Sequence, residues 1–427
     1  MSLKERFDPS EAQELWASFV LAAAVATTTV RFFSPVLNLG EAAHPSQVLL
    51  RFAIIALGAG MVFTTVSLNH LIEATPFRYF VPFFLLVFAS PLWSPEPLIA
   101  FLEGGAFIAT LAIAAMLTLS YGWEWVTTRV VAFTTLFLLA SVILETANSA
   151  TAFGADRWFG LAGSPTGLGQ VAAVSALLAL TLLVASNPSR RLGAALTGSV
   201  LLSILVVALT QSRIPLLAIF VGGAAVIILK SPSGVRGVAT LFIGSATVAA
   251  LVLLSKPLTS LALRDDIAVD ELSNVSGRSE AWALAIDLIA EKPFLGYGFA
   301  SGDDLFLNDL LVGNITWFPR HSHQLFLELL TSLGFIGLAL FLVPFVMTIR
   351  AKGSTTVFIP RFLIAAMVGL GLTEPIVHEA TIYAILLGVA IAAGRSPLTA
   401  RHFEENLPLS SRRVFLDEEK FEPLEAA

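Results

Sequence analysis

Long apolar runs separated by short polar breaks make up most of this chain. The runs are about 20 residues long, which is the length that an α-helix needs to cross a bilayer. We therefore expect an all-α, polytopic membrane protein with about 12 transmembrane helices. The predicted spans are Leu15–Phe33, Val48–Ser67, Tyr79–Trp93, Leu98–Leu119, Val130–Leu144, Gly167–Val184, Leu192–Leu209, Ile214–Leu229, Val238–Leu254, Gln324–Ile349, Phe358–Leu372 and Ile376–Ala393.

One polar interruption is much longer than the others and runs from Ser255 to about Ser322. Within it, SEAWALAIDLIAEK repeats apolar residues at helical spacing, and Pro293 ends the repeat. This pattern predicts a short amphipathic helix that lies on the membrane surface or caps the bundle, and DDLFLNDLLV is a second candidate. The predicted apolar face of the first helix comprises Trp282, Ala285, Ile286, Ile289 and Ala290.

The same pattern divides the chain into four parts. Residues 1–254 hold the first nine transmembrane helices, and 255–322 form the large loop. Residues 323–394 hold the last three helices, and 395–427 form a polar tail that we expect to be a disordered cytoplasmic end.

Composition excludes a soluble globular protein, because only 13% of the residues are charged and 56% are hydrophobic. The chain has no cysteine, so it forms neither disulfides nor thiolate metal sites. The net charge of −6 lies largely in the tail and the large loop and says little about partners. The first residues are polar and acidic, so we expect no cleavable signal peptide.

Basic residues in the short loops predict the orientation. An even number of spans puts both termini on one side. The short loops of that side carry basic residues, whereas the short loops of the opposite side carry essentially none. By the positive-inside rule that side is the cytoplasm, so the large loop is periplasmic. The residues concerned are Arg78, Arg129, Arg190, Arg191, Lys230, Arg236, Arg350 and Lys352.

Three segments on the periplasmic side carry candidate chemistry. Arg213 lies in TQSR, Arg278 lies in SGRSEAW at the start of the loop helix, and His323 lies in FPRHSHQLFLELL beside Arg320 and His321. An arginine at membrane depth is costly unless it is paired, and intramembrane charges are functional by default. The structural alternatives are a salt bridge from Arg213 to Glu145 or Glu374, a solvated Arg278 and interfacial histidines.

The two histidines leave two chemical interpretations open. His321 and His323 alternate in an extended segment, so they are half of a metal site or a general base near neutral pH. No third ligand stands at a suitable spacing, although Asp303 and Asp304 are available through the fold. The first outer loop, NLGEAAHPSQ, has only Glu41 as a carboxylate. We therefore expect arginines in place of a divalent ion, with no metal and no cofactor.

Two guanidinium groups and a base suit one chemical task. A guanidinium binds phosphate oxygens in a bidentate fork and keeps its charge, which favours departure of a lipid diphosphate. The base removes a proton from an incoming hydroxyl. This set of residues therefore predicts group transfer from a diphosphate-linked lipid.

At these residues the sequence resembles the O-antigen ligase and O-antigen polymerase superfamily of bacterial membrane glycosyltransferases. The resemblance rests on TQSRIPLLAI, on SGRSEAWALAIDLIAEKPFLGYGFASG, on HSHQLFLELLTSLGFIG and on GSPTGLGQVAAV upstream. It covers about Gly160 to Phe345 in the same order, with the large loop in the same place. The chain departs from the family pattern at Gln324, where the family usually has asparagine after the histidine.

The resemblance implies an inverting, metal-independent transfer of a glycan from undecaprenyl diphosphate at the periplasmic face of the inner membrane. Arg213 and Arg278 would bind the diphosphate, and His323 would activate the acceptor or position the donor. Substrate contacts are expected from Arg320, His321 and Trp282, with secondary candidates Glu374 and His378 in TEPIVHEA. The expected partners are the lipid-linked glycan donor, a glycan or lipid A core acceptor and membrane lipids, with no nucleic acid.

Several functions remain to be separated. The motifs do not distinguish a ligase, which transfers a finished glycan, from a polymerase of O-antigen or exopolysaccharide. A transporter or flippase is the alternative class, but such proteins commonly show internal repeats and polar groups at the bilayer midplane, and this chain shows no repeat. A metalloprotease would require HExxH, and His378-Glu379 is followed by no second histidine.

Overall fold

The structure is a computed structural model that describes residues 11–30, 52–57, 60, 76–147, 158–162, 164–186, 188–212, 215–216, 218–220, 222–223, 278–302, 305, 322, 324–350 and 382–393. These residues form α-helices, short 3-10 turns and connecting loops without any β-strand, so the all-α class is confirmed for this part of the chain. The helices are α1 (Glu11–Val30), α2 (Val81–Ala89), α3 (Pro97–Tyr121), α4 (Trp123–Ala147), α5 (Pro165–Ala185), α6 (Arg190–Thr210), α7 (Arg278–Glu291), α8 (Leu325–Arg350) and α9 (Ile382–Ala393).

Five of these helices are long and apolar enough to cross a membrane: α3, α4, α5, α6 and the first 20 residues of α8. The segment around α2 and helices α1 and α9 are apolar but shorter within the described residues. Multi-pass membrane insertion follows from these helices, and the total of about twelve spans stays a prediction. The predicted spans that lie wholly or largely outside the described residues are Val48–Ser67, Ile214–Leu229, Val238–Leu254 and Phe358–Leu372.

Local signals set the ends of the long helices. Ser164 caps α5, because its hydroxyl accepts a hydrogen bond from the amide of Gly167 at 2.9 Å, and Pro165 occupies the first turn. Ser189 caps α6 in the same way. Gly122 ends α3 in a turn that starts α4 one residue later. The predicted bounds of these spans agree with the observed helices within a few residues, except at the start of α4.

Small and hydroxyl side chains pack the long helices together. Gly388 in α9 lies directly against the backbone of α3 at Leu111, where a larger side chain would overlap. Between α4, α5 and α6, the Ser175 hydroxyl lies 2.9 Å from that of Thr134 and 3.2 Å from that of Ser199. Hydroxyl pairs of this kind hold membrane helices together where the hydrophobic effect does not.

The turn between α3 and α4 carries a polar cluster. The Arg129 guanidinium lies 3.6 Å from the Trp125 ring, donates to Ser18 at 2.9 Å and pairs with Glu14 at 2.5 Å. The Trp125 ring nitrogen donates to the same carboxylate at 2.9 Å. Arg129 was predicted to lie in a loop before Val130, and this was wrong: Arg129 lies inside α4, because Glu14 on α1 supplies its counter-charge.

Helices α3, α4, α5 and α6 alternate in direction, which defines two ends of the bundle. The 90–96 turn, the start of α5, the end of α6 and the start of α8 lie at one end, called here the site end. The described basic residues of the predicted cytoplasmic side lie at the other end, before α2, in the first turns of α4, at the start of α6 and at the end of α8. These are Arg78, Arg129, Arg190, Arg191 and Arg350.

Candidate functional site

Most of the predicted site residues lie outside the described part of the chain. These are Arg213, Arg320, His321, His323, Glu374 and His378. Arg278 is described in its backbone only, as the first residue of α7, and Trp282 lies one turn further along the same helix. The structure therefore describes residues close to Arg213 and His323 and the helix that begins at Arg278.

The residue before Arg213 is bound to the turn that opens α5. The Ser212 side chain is buried, its hydroxyl donates to the carbonyl of Pro165 at 3.0 Å, and its Cβ lies close to Gly169. Gln211 takes a left-handed backbone conformation, with φ of 51°, and ends α6. The two motifs TQSR and GSPTGLGQ, separated by more than 40 residues, are thus in direct contact.

A buried carboxylate supports the same turn. Glu145, near the end of α4, is 3% exposed and accepts hydrogen bonds from the amides of Gly160 at 2.9 Å and Phe159 at 3.4 Å. The neighbouring hydroxyl of Ser141 accepts from the amide of Leu161 at 3.2 Å. Sequence reasoning considered Glu145 only as a salt-bridge partner, and the contact with backbone amides was missed.

The loop helix α7 packs on the start of α8. Ala281 and Ala285 are fully buried and pack with Leu327, so the helix is present and rests on α8. The predicted apolar face was partly wrong, because Ile286 is 57% exposed whereas Leu288 is buried. Alanines face α8 since they allow close approach, and the larger apolar side chain points away from the bundle.

Helix α8 is interrupted at Gly334, a break that sequence analysis did not predict. Gly334 has φ of 65° and ψ of −168°, a conformation that is essentially restricted to glycine. An uninterrupted helix would bond the amides of Phe335 and Ile336 to the carbonyls of Thr331 and Ser332. These four backbone groups bond instead to the loop that follows α7.

The exchange of partners forms what we call the glycine clamp, defined as residues 293–298 bound to residues 331–336. Phe335 and Ile336 donate to the carbonyls of Pro293 and Phe294 at 2.8 and 3.2 Å. In return, the amides of Tyr297 and Gly298 donate to the carbonyls of Thr331 and Ser332 at 2.9 and 2.8 Å, respectively. The loop thus satisfies all four groups, as a break within a membrane helix requires. The motifs PFLGYG and TSLGFIG are the two halves of this clamp.

The turn before α3 fixes the clamp to the rest of the bundle. The ring nitrogen of Trp93 donates to the carbonyl of Leu295 at 3.2 Å, and the Ser90 hydroxyl accepts from the amide of Phe299 at 3.1 Å. The Phe299 ring packs on Phe107 of α3 with centroids 5.8 Å apart. The clamp, the loop helix and the start of α8 therefore form one connected unit at the site end.

Both sequence neighbours of His323 are bound to the first turn of α8. The Glu328 carboxylate, 3% exposed, accepts from the amide and the hydroxyl of Ser322 at 3.0 and 2.9 Å. The side-chain oxygen of Gln324 accepts from the amide of Leu327 at 2.5 Å, so Gln324 caps the helix. Asparagine, which the family usually has at this position, is a common helix cap. Gln324 in its place also caps the helix. The sequence predicted only Arg320, His321 and His323 as site residues in this segment, and Glu328 and Ser322 were not included.

Trp282 brings an unpaired donor to the site end. Its side chain is partly buried, and its ring nitrogen is buried without a hydrogen-bond partner in the structure described here. A buried N–H group usually finds a partner, so an unmet donor is available to a ligand. Among the described residues no group of three or more His, Asp or Glu side chains could hold a metal ion. His321, His323 and Asp303 lie outside that set.

The comparison with known protein families agrees with these motifs. No curated protein matches the chain. Residues 198–342 match the family model described as O-antigen ligase. The match begins within α6, ends within α8 and includes Arg213, Arg278, His323 and the whole glycine clamp. The resemblance seen in the sequence is confirmed over this third of the chain, where residues 198–342 are similar to the O-antigen ligase family.

Proposed function

We propose that this protein is a membrane glycosyltransferase that transfers or polymerises a glycan carried on undecaprenyl diphosphate. The acceptor is a second glycan or a lipid A core, and membrane lipids surround the bundle. The observation that carries the proposal is the glycine clamp, which lies within residues 198–342, the part of the chain that matches the O-antigen ligase family model. It joins the helix that begins with Arg278 to the helix that follows His323.

The distribution of basic residues supports a periplasmic reaction at the inner membrane. Five arginines of the described helices lie at the end of the bundle opposite the site end, and the positive-inside rule assigns that end to the cytoplasm. Both termini would then be cytoplasmic. Residues 255–322 would be the periplasmic loop between 1–254 and 323–394, with 395–427 as the tail.

The proposed reaction is a single displacement. The acceptor hydroxyl oxygen attacks the anomeric carbon while the bond from that carbon to the diphosphate oxygen breaks. Attack from the face opposite the leaving group inverts the anomeric configuration. His323 takes the hydroxyl proton, and undecaprenyl diphosphate leaves with the bonding electron pair.

Arg213 and Arg278 would stabilise the charge that develops on the leaving diphosphate, because a guanidinium offers two parallel donors and remains charged. This electrostatic stabilisation takes the place of a divalent ion in the proposal. Arg320, His321, Glu374 and His378 would contact the sugars or the acceptor. The unmet ring donor of Trp282 suits a hydroxyl or phosphate oxygen of the substrate.

Alanine substitutions test the proposal in a deletion strain of the native host. Arg213→Ala, Arg278→Ala and His323→Ala are each expected to abolish glycan transfer without lowering the amount of protein in the membrane. Arg213→Lys is expected to restore little, since the bidentate geometry is lost. A variant that transfers glycan at the wild-type rate would remove that residue from the site.

Two further measurements refine the assignment. EDTA is expected to leave transfer unchanged, and inhibition that a divalent ion reverses would favour a metal at His321 and His323. A gel of surface glycans from the deletion strain separates the two activities. Single units on the acceptor indicate a polymerase, whereas long chains retained on the lipid carrier indicate a ligase.

A further inference from the structure

We propose that Glu328 is a positioning residue that holds the segment carrying His323 in its active geometry. This inference rests on the proposed function, in which His323 receives the acceptor proton. It adds a role for a buried carboxylate that does not itself touch the reacting atoms.

The contacts of Glu328 reach the residue directly before His323. One carboxylate oxygen accepts from the Ser322 amide at 3.0 Å and from the Ser322 hydroxyl at 2.9 Å. Ser322 is fully buried, and its hydroxyl also lies 3.1 Å from the carbonyl of Gln324. The carboxylate therefore binds a backbone group and a side chain of the same residue.

The residue directly after His323 is fixed as well. Gln324 accepts from the amide of Leu327 in the first turn of α8. Consecutive Cα atoms are 3.8 Å apart, so a displacement of Ser322 or Gln324 displaces the residue between them. Glu328 supplies the anchor on one side of His323, and the helix cap supplies the anchor on the other.

The glycine clamp fixes Glu328 in turn. The second carboxylate oxygen of Glu328 lies 3.4 Å from the hydroxyl of Ser332, whose carbonyl accepts from Gly298 in the clamp. Glu328 thus connects the glycine clamp, through Ser332, to Ser322 at the start of α8. Displacing a catalytic group by about 1 Å lowers a rate by about a hundredfold.

Stability alone gives a poor reason for a carboxylate at this position. A buried charge is costly to desolvate, and an apolar side chain of similar volume is often neutral or favourable in its place. Glu328 sits in a first helical turn that is otherwise apolar, between Leu327 and Leu329. A carboxylate there provides two strong acceptor interactions to Ser322 that no apolar side chain replaces.

The test compares Glu328→Gln with Glu328→Ala in the full-length protein, reconstituted with its native lipid-linked glycan donor and acceptor. The glutamine oxygen still accepts both bonds from Ser322, so kcat is expected to stay within about threefold of wild type. The alanine variant removes both bonds from Ser322 to the carboxylate, and kcat is expected to fall by about ten- to a hundredfold, with the donor KM unchanged. Glu14→Ala is the matched control, because it removes a carboxylate at the opposite end of the bundle and is expected to leave kcat unchanged.

Ser322→Ala keeps the proposal testable if Glu328→Ala does not reach the membrane. This variant keeps the amide bond to Glu328 and loses the hydroxyl bond, so its kcat is expected to fall less than that of Glu328→Ala. The double variant is expected to lose no more than Glu328→Ala alone, because both act through one contact. A Glu328→Gln protein as inactive as Glu328→Ala, or a Ser322→Ala protein with wild-type kcat, would overturn the positioning role. Wild-type activity of His323→Ala would instead overturn the proposed function.

Discussion

Gly334→Ala is the sharpest perturbation of the glycine clamp. Residue 334 has φ of 65° and ψ of −168°, and forcing alanine into this region costs about 1–3 kcal/mol. The added Cβ would also overlap the backbone of Phe294 and Leu295, so the loop has to move away from α8. Such a movement breaks the two bonds donated by Phe335 and Ile336, at about 0.5–1.5 kcal/mol each.

The combined local cost is about 2–6 kcal/mol, which is a large part of the 5–15 kcal/mol that typically separates folded from unfolded proteins. We expect the clamp to open while the membrane helices remain assembled, because the bundle contacts of α3, α5 and α6 are untouched. Opening would release the loop helix from the start of α8. Glycan transfer should therefore be lost at a normal protein level.

The chain has no cysteine, so a disulfide can report on the clamp directly. The amide of Phe335 donates to the carbonyl of Pro293, the residue before Phe294. The Phe294 and Phe335 side chains are 68% and 53% exposed. Phe294→Cys with Phe335→Cys is expected to form a disulfide in native membranes, and adding Gly334→Ala is expected to suppress it. Gly198→Ala is the control, since a Cβ there meets nothing within 4 Å. Full cross-linking and full transfer in the Gly334→Ala protein would refute this account of the clamp.

Two other predictions concern the ends of the helices. Gln324→Asn retains a capping oxygen and is expected to preserve transfer, whereas Gln324→Ala is expected to cost about 1 kcal/mol and to lower transfer in the same assay. Equal transfer by both variants would count against the cap. Arg129→Ala is expected to lower the free energy of unfolding in detergent by about 1–2 kcal/mol, because it removes a partly exposed ion pair and a cation–π contact. Its transfer rate should match wild type, and a selective loss of transfer would contradict the separation of this cluster from the site.

The sequence predicted most of the described membrane helices because their apolar runs end at recognisable signals. The span predicted at Leu98–Leu119 corresponds to α3 at Pro97–Tyr121, bounded by a proline and a glycine. The start of α4 was placed too late, since Glu124 and Arg129 appeared to end the apolar run. Arg129 is accommodated because a carboxylate more than 100 residues earlier meets it, and periodicity carries no information about such a partner.

The break in α8 was not predictable from its own sequence. LELLTSLGFIGLALF reads as one continuous apolar helix, and glycine within such a run is common in membrane helices. The replacement partners for the helical hydrogen bonds lie about 40 residues upstream in PFLGYG. Both motifs were identified in the sequence as family signatures, and the structure shows that they are hydrogen-bonded to each other.

The chemistry of the candidate site was predicted, but its supports were not. Charged and titratable residues such as Arg213, Arg278 and His323 stand out in an apolar chain, so sequence reasoning finds them. Glu145 and Glu328 act through backbone amides of other segments, and no spacing rule in the sequence reveals such contacts. These two carboxylates are what the structure adds to the candidate site.

Cross-linking of the three predicted residues tests the central claim most directly. Cysteines are introduced in pairs at Arg213, Arg278 and His323 in the cysteine-free chain, and native membranes are treated with a short bismaleimide. The account predicts that all three pairs cross-link, and that an impermeant maleimide added from the periplasmic side blocks them. Failure of the Arg213 pairs, with cross-linking of the Phe294 and Phe335 control pair, would contradict a shared site for the two arginines and the histidine.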